Sequence, residues 1–253
     1  FYLYQSIQTA HQLRMCLEEN PDIVTYLDPK QDTISKTCSN VLEFLDKNLW
    51  IDRCKSLNNM NTFDETIIRE GFSVELDEVN QCYKENNQTF HHIHELLNNT
   101  IRSHDNTIHS DVDYVKIHTT EKSGMSFQIT KKRGLLLKTI IKNMGSTPMH
   151  DIDGAMWNEV KLTSVSGSCD EIEFPLLTKI CRDILYQRDH LNKLIANAYL
   201  DALGLLEQTH YEDMEYIATY LARLDVLTNK AYIAHEYNYC CPRIQENAPK
   251  SFV

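Results

Sequence analysis

Seven cations crowd one short stretch of this 253-residue chain. Lys116, Lys122, Lys131, Lys132, Arg133, Lys138 and Lys142 fall between Tyr114 and His150, with Glu121 as the one carboxylate among them, and Lys161 follows soon after. The stretch carries an excess of six positive charges in a chain of net charge −11, so the remainder carries −17. Lysine and arginine at this density can neutralise phosphates, a contact that supplies affinity and register without reading bases. An acidic chain would ordinarily repel a polyanion, but net charge averages over a distribution this uneven. The plain alternative is a solvated surface that happens to be basic.

Other reactive residue types make weaker patterns. His91, His92 and His94 stand beside Glu95, and such a set binds zinc when it shares a helix face. The His91–His94 spacing is three, however, not the i, i+4 of H-E-x-x-H, so a polar helix face is expected. Cys240-Cys241 has no further ligands nearby. Asp170, Glu171 and Glu173 sit where a return helix is expected to start, and the positive end of a helix favours carboxylates. None of the seven glycines is followed by lysine, which excludes a G-x-x-x-x-G-K-[ST] phosphate loop. No Ser-His-Asp or Cys-His constellation stands out. The segment is expected to be neither catalytic nor metal-binding, with no cofactor of its own.

Eight scattered cysteines without a C-x-x-C pair read as free thiols in an intracellular, reducing compartment. No run of about 18 apolar residues predicts a membrane span. The opening Phe1-Tyr2-Leu3-Tyr4-Gln5 lacks a basic n-region and reads as the interior of a larger protein. Only seven glycines and six prolines argue against a turn-dense all-β fold.

Helical spacing runs through the first region. Leu3, Ile7, Ala10, Leu13 and Leu17 predict a helix over Phe1–Glu19 closed by Asn20-Pro21, and Val41, Leu42, Leu45 and Leu49 another over Ser39–Leu49. Thr62–Phe72 reads as irregular or weakly extended. From Ser73, Leu76, Val79, Tyr83, Phe90, Ile93 and Leu97 form a near-heptad seam on a long helix, about 45 Å if thirty residues long. Period-two alternation then predicts a hairpin, Tyr114–Thr119 with Met125–Thr130, turning at Glu121–Gly124. A short helix over Leu135–Ile141, a loop over Asn143–Gly154 and a third strand over Glu159–Ser164 follow. Two helices close the chain. Phe174 to about Glu207 carries Leu177, Ile180, Ile184, Leu191, Leu194, Ala198 and Leu205, and Asp213–Tyr237 carries Ile217, Leu221, Leu224, Leu227 and Ala231.

Five stretches in this order resemble the lever and clamp region of the MutS DNA mismatch-repair family. Phe1–Gln5 resembles the start of a lever helix, and Gly71-Phe72 with Glu75-Leu76-Asp77-Glu78-Val79 the opening of the first long lever. Met125-Ser126-Phe127-Gln128-Ile129-Thr130-Lys131-Lys132 is similar to the clamp strand G-Y-Y-I-x-V-T-K. Val160–Ser164 followed by Phe174-Pro175-Leu176-Leu177 resembles the next clamp strand and the F-T-x-x-L return lever. Leu224-Asp225-Val226-Leu227 and Tyr239-Cys240-Cys241-Pro242 resemble the exit towards the ATPase domain. Two departures stand out: Met125-Ser126-Phe127 replaces a pair of adjacent aromatics, and Val165–Cys169 is neutral where bacterial members often place Arg and Lys.

The resemblance implies a mostly α fold, an elongated long-helix lever domain with a small inserted α+β clamp of one β-hairpin plus a strand. The expected divisions are 1–111 and 171–244 for the lever and core helices, 112–170 for the clamp, and 245–253 for a linker towards an ATPase domain outside the chain. It implies contact with double-stranded DNA through the phosphate backbone by Lys116, Lys122, Lys131, Lys132, Arg133, Lys138, Lys142, Lys161 and Ser164. It also implies a dimeric full-length protein that is a DNA-dependent ATPase using ATP and Mg. The family's mismatch-reading aromatic-x-Glu belongs to a domain absent here, and Phe63-Asp64-Glu65 matches it by spelling alone. The competing expectation is a helical scaffold or protein-interaction arm without direct DNA contact.

Overall fold

The computed structural model describes residues 1–29, 33–57, 63, 65–105, 113–120, 124–150 and 152–240. The fold is mostly α with a small four-stranded antiparallel sheet. Two compact units divide it: Phe1–Asn58, Glu65–Arg69 and Tyr199–Val253 form one, and Asn59–Asp64 with Glu70–Ala198 the other. The expected turn residues Glu121, Lys122 and Ser123, together with Asp64, Cys241, Pro242 and the linker at 245–253, lie outside the described residues.

The first unit is helical. α1 (Tyr2–Cys16) packs against α3 (Thr33–Asn48), burying Ile7 and Ala10 on one and Ile34, Cys38, Val41 and Leu45 on the other. Steps of four, three and four along α3 keep its apolar residues on one stripe, which drives the pairing. α1 ends at Cys16, before the expected stop at Asn20-Pro21; Asn20 is instead the N-cap of α2 (Pro21–Leu27), which Pro21 opens, where its missing N–H costs nothing. The short α4 (Ile51–Lys55) follows, and Leu49 and Ile68 form a single β-bridge within a segment whose sequence reads as irregular.

Asp28 is fully buried and holds this unit's polar centre. Its Oδ2 accepts the Ile34 N–H at 3.1 Å in the first turn of α3, and its Oδ1 accepts the Tyr216 hydroxyl. A carboxylate at a helix N-terminus is favoured by the helix dipole. Burial and the Asp28 bond together push the Tyr216 hydroxyl from 10.0 up to about 12.

The second unit is built on α5 (Val74–His104), whose N-cap Ser73 accepts the Leu76 N–H at 3.4 Å. Leu76, Phe90, Ile93, Leu97 and Ile101 are buried along its seam. The sheet runs β1 (Val115–Thr120), β2 (Gly124–Thr130), β4 (Cys169–Glu173), β3 (Lys161–Ser164), with every pair antiparallel. Its inner face presents Val115, Phe127, Ile129 and Ile172 to the core, with Phe90 and Phe127 rings 4.5 Å apart. α6 (Lys131–Met144) lies on that face, and Gly145, at φ 59, ends it by donating to Ile141 O.

Three sequence expectations change here. β4 is a fourth strand that directly precedes the return helix starting at Pro175; Asp170 and Ile172 point inward while Glu171 and Glu173 point outward, and of the acidic trio Glu173 stands nearest the helix start. α6 begins four residues earlier than expected, which puts Lys131, Lys132 and Arg133 on the helix rather than at a strand end. The two closing helices are one run, α7 (Pro175–Glu236), broken only at His210; along it Ile195 and Leu206 are buried in place of Leu194 and Leu205.

Tyr216→Phe should destabilise the protein by about 1–2 kcal/mol, because it strips a hydroxyl donor from a buried carboxylate; urea unfolding measures it, and an unchanged midpoint would contradict the assignment. Alkali should act too. Burial raises the Cys38 thiol from 9.0 to about 11. The folded state therefore holds the Cys38 and Tyr216 protons more tightly than the unfolded chain. Stability should be intact below pH 9 and fall as pH rises towards about 11 and 12, in the same urea assay.

Candidate nucleic-acid interface

The alternation of the strands sorts the predicted cations onto two sides of the sheet. Cross-strand register puts Val115, Ile129, Asp170 and Ser164 in one row and Ile117, Phe127, Ile172 and Leu162 in the next, all on the face that α6 covers. Lys116, His118, Gln128, Glu171, Thr163, Lys161 and Glu173 occupy the other, open face. A period of two allows no compromise: Lys116 and Lys161 cannot join the lysines of α6.

On α6 the lysines form one side. Gly134, Leu137 and Ile140 are buried against the sheet, and Lys131, Lys132, Lys138 and Lys142 are exposed on the opposite arc. Lys131, Lys138 and Lys142 recur at steps of seven and four, which lines them along about 16 Å of helix. None has a carboxylate partner among the described residues. No acidic residue stands in the first turn, and Thr130 gives no side-chain cap. Cations at the positive end of a helix are disfavoured by about 0.3–1 kcal/mol each, and the buried Asp170 carboxylate from β4 packs against this turn.

Close packing sets where that helix starts. A Cβ at Gly134 would stand 3.2 Å from Asp170 Oδ2 and 3.6 Å from Leu162 Cδ1, so glycine lets the first turn approach β4. The Lys131 N–H donates to Ser168 O at 3.0 Å, joining the basic turn to the β3–β4 connection. That connection carries the hydroxyls of Ser164, Ser166 and Ser168, and Ser164 Oγ donates to Ser166 O at 3.4 Å. The structure thus gathers Lys131, Lys132, Lys138, Lys142 and Ser164 on one side of the sheet.

Arg133 serves a different purpose. Its guanidinium lies 4.2 Å above the Tyr114 ring and reaches Asp113 O at 3.5 Å. It braces α6 against the start of β1, an arrangement worth about 0.5–1 kcal/mol at a partly exposed site. On the open face, Lys161 lines a hollow of about 620 Å³ with Glu159, Glu173 and Arg182. Two carboxylates facing two cations give that hollow no preference for an anion.

Sequence spacing does not mark the residues that aim the hairpin. Asn98, buried on α5, accepts the N–H groups of Tyr114 and Val115 at 2.8 and 2.9 Å through Oδ1 and donates to His94 O at 3.1 Å. His94 Nε2 lies 2.7 Å from Val115 O and so carries the proton there, while its ring centroid is 5.4 Å from that of Phe127. The histidine group therefore divides: His91 and His92 are exposed, as a polar face requires, and His94 is a structural donor. The one signal in the chain is an amide directly after Leu97 in an otherwise apolar seam.

Asn98→Ala should cost about 2–5 kcal/mol, since two buried N–H groups are left without an acceptor. Chemical denaturation measures the effect, and a change below about 1 kcal/mol would show that water replaces the amide.

Comparison of the chain with models of protein families gives no match, and comparison with curated proteins gives none.

Proposed function

We propose that this chain is the lever and clamp segment of a MutS-like DNA mismatch-repair protein, gripping duplex DNA through its phosphate backbone. The observation that carries the reading is the lysine arc of α6, four exposed cations without described carboxylate partners. The ordered motifs from Phe1 to Pro242 add support, as does a long helix entering and another leaving the small sheet.

In this reading Lys131, Lys132, Lys138 and Lys142 neutralise phosphates without reading sequence, and the hydroxyls of the Ser164–Ser168 turn add neutral contacts. Binding releases counterions from the duplex, so affinity falls steeply with salt. α5 and α7 couple the grip to a nucleotide-driven change in an ATPase domain beyond this chain, where ATP and Mg would be held and dimer contacts made. This segment itself carries out no chemistry.

A second reading, a protein-interaction arm, draws on the open sheet face. There Glu171 and Glu173 share a surface with Lys116 and Lys161, a mixed pattern suited to a protein partner rather than a polyanion.

Titrating a fluorescent duplex of about 20 base pairs at several salt concentrations separates the two. Replacing Lys131, Lys132, Lys138 and Lys142 with alanine should weaken binding and flatten the salt slope by about 0.9 for each phosphate no longer neutralised. Replacing Lys116 and Lys161 should leave the slope unchanged. A fourfold variant with the wild-type slope would sink the DNA reading and leave the interaction arm.

A further inference from the structure

α7 is helical over 62 residues except at His210, where φ is −129° and ψ 17°. Neither proline nor glycine stands at the break, and the nearest glycine is Gly204. A sharp bend needs a local cause, and the partners of the His210 imidazole supply one. His210 Nδ1 donates to Asp213 Oδ2 at 2.8 Å, placing a carboxylate in the first turn of the following segment, where the helix dipole favours it. From α3, the Phe44 ring stands edge-on to the imidazole, with centroids 5.2 Å apart.

The pair is sheltered, with the His210 side chain 18 % exposed and that of Asp213 29 %. Screening by salt is correspondingly weak. Before the break, Ala202 and Leu206 are buried; after it, burial ends with Ile217 and Tyr220, and Val226, Tyr232, Ile233 and Tyr237 are exposed. The break therefore sets the direction of a segment whose far end carries much exposed apolar surface.

We propose that His210 is a latched hinge: Asp213 and Phe44 hold the imidazole and keep α7 bent, and releasing the imidazole lets the two segments join into a straighter helix. The hinge stands independently of the DNA-gripping reading.

Spin labels on ketone-bearing residues at the exposed positions Leu200 and Val226 test it while leaving the cysteines untouched. A straight helix would put the two Cα atoms about 39 Å apart. The wild type should give a narrow distribution at a shorter distance. His210→Leu keeps an apolar contact for Phe44 but removes the bond to Asp213, and should shift or broaden the distribution towards the straight-helix value. Asp213→Asn removes the carboxylate alone and should move it the same way by less. A thermal melt checks that each variant is folded; should His210→Leu unfold, Asp213→Asn decides. Unchanged distances in the folded variants, or a straight-helix distance in the wild type, would overturn the hinge.

Discussion

The second unit turns on one buried amide. Asn98 takes up two successive backbone N–H groups at the entry to β1, and no apolar side chain of similar size could do so. A strand entering a core must satisfy its first N–H groups before the ladder begins. By doing this from α5, Asn98 fixes where β1 starts on the long helix. The β1–β2 register then follows, β2 ends at Thr130, and α6 begins at Lys131. His94 closes the same junction from one turn earlier, through Val115 O.

Inner residues of the sheet face α6 and the apolar seam of α5, so the outer residues are left to solvent. This division gives the basic stretch its form. Eight candidate cations that form one cluster in the chain separate into a lysine arc on α6, a mixed face with Lys116 and Lys161, and Arg133 engaged with Tyr114. Lys122 lies outside the described residues. The arc is narrower than the full set, and its surface is purer in charge, the nearby Asp170 carboxylate being buried beneath Gly134. On the open face Glu171 and Glu173 lie among the cations, and a carboxylate within a Debye length of about 8–10 Å weakens the pull on phosphate.

The first unit answers the same problem with Asp28. A carboxylate at zero exposure survives because a helix N-terminus and a tyrosine hydroxyl both donate to it. In each unit, a short polar side chain inside an apolar setting specifies how one element meets the next. Such groups contribute little net energy when satisfied and cost much when orphaned, so they select an arrangement more than they stabilise it.

Periodicity determined the longer helices, the hairpin and the mostly α class, because burial repeats at 3.6 on helices and at 2 on strands whatever the partner; α2 and α4 are too short to show a period. The pause between Glu207 and Asp213 was legible as well, although it proved to be a one-residue break at His210 instead of a loop. β4 was hidden: Asp170-Glu171-Ile172-Glu173 offers one apolar side chain, and it becomes a strand because β2 and β3 both need a partner there. The basic composition pointed to Lys131, Lys132, Lys138 and Lys142 but could not separate them from Arg133, Lys116 and Lys161. That choice depends on which face a residue takes in a paired sheet and on which ring lies beneath a guanidinium. Both are set by residues distant in the chain, Asn98 and Tyr114 among them, so they exist only once the tertiary structure has formed.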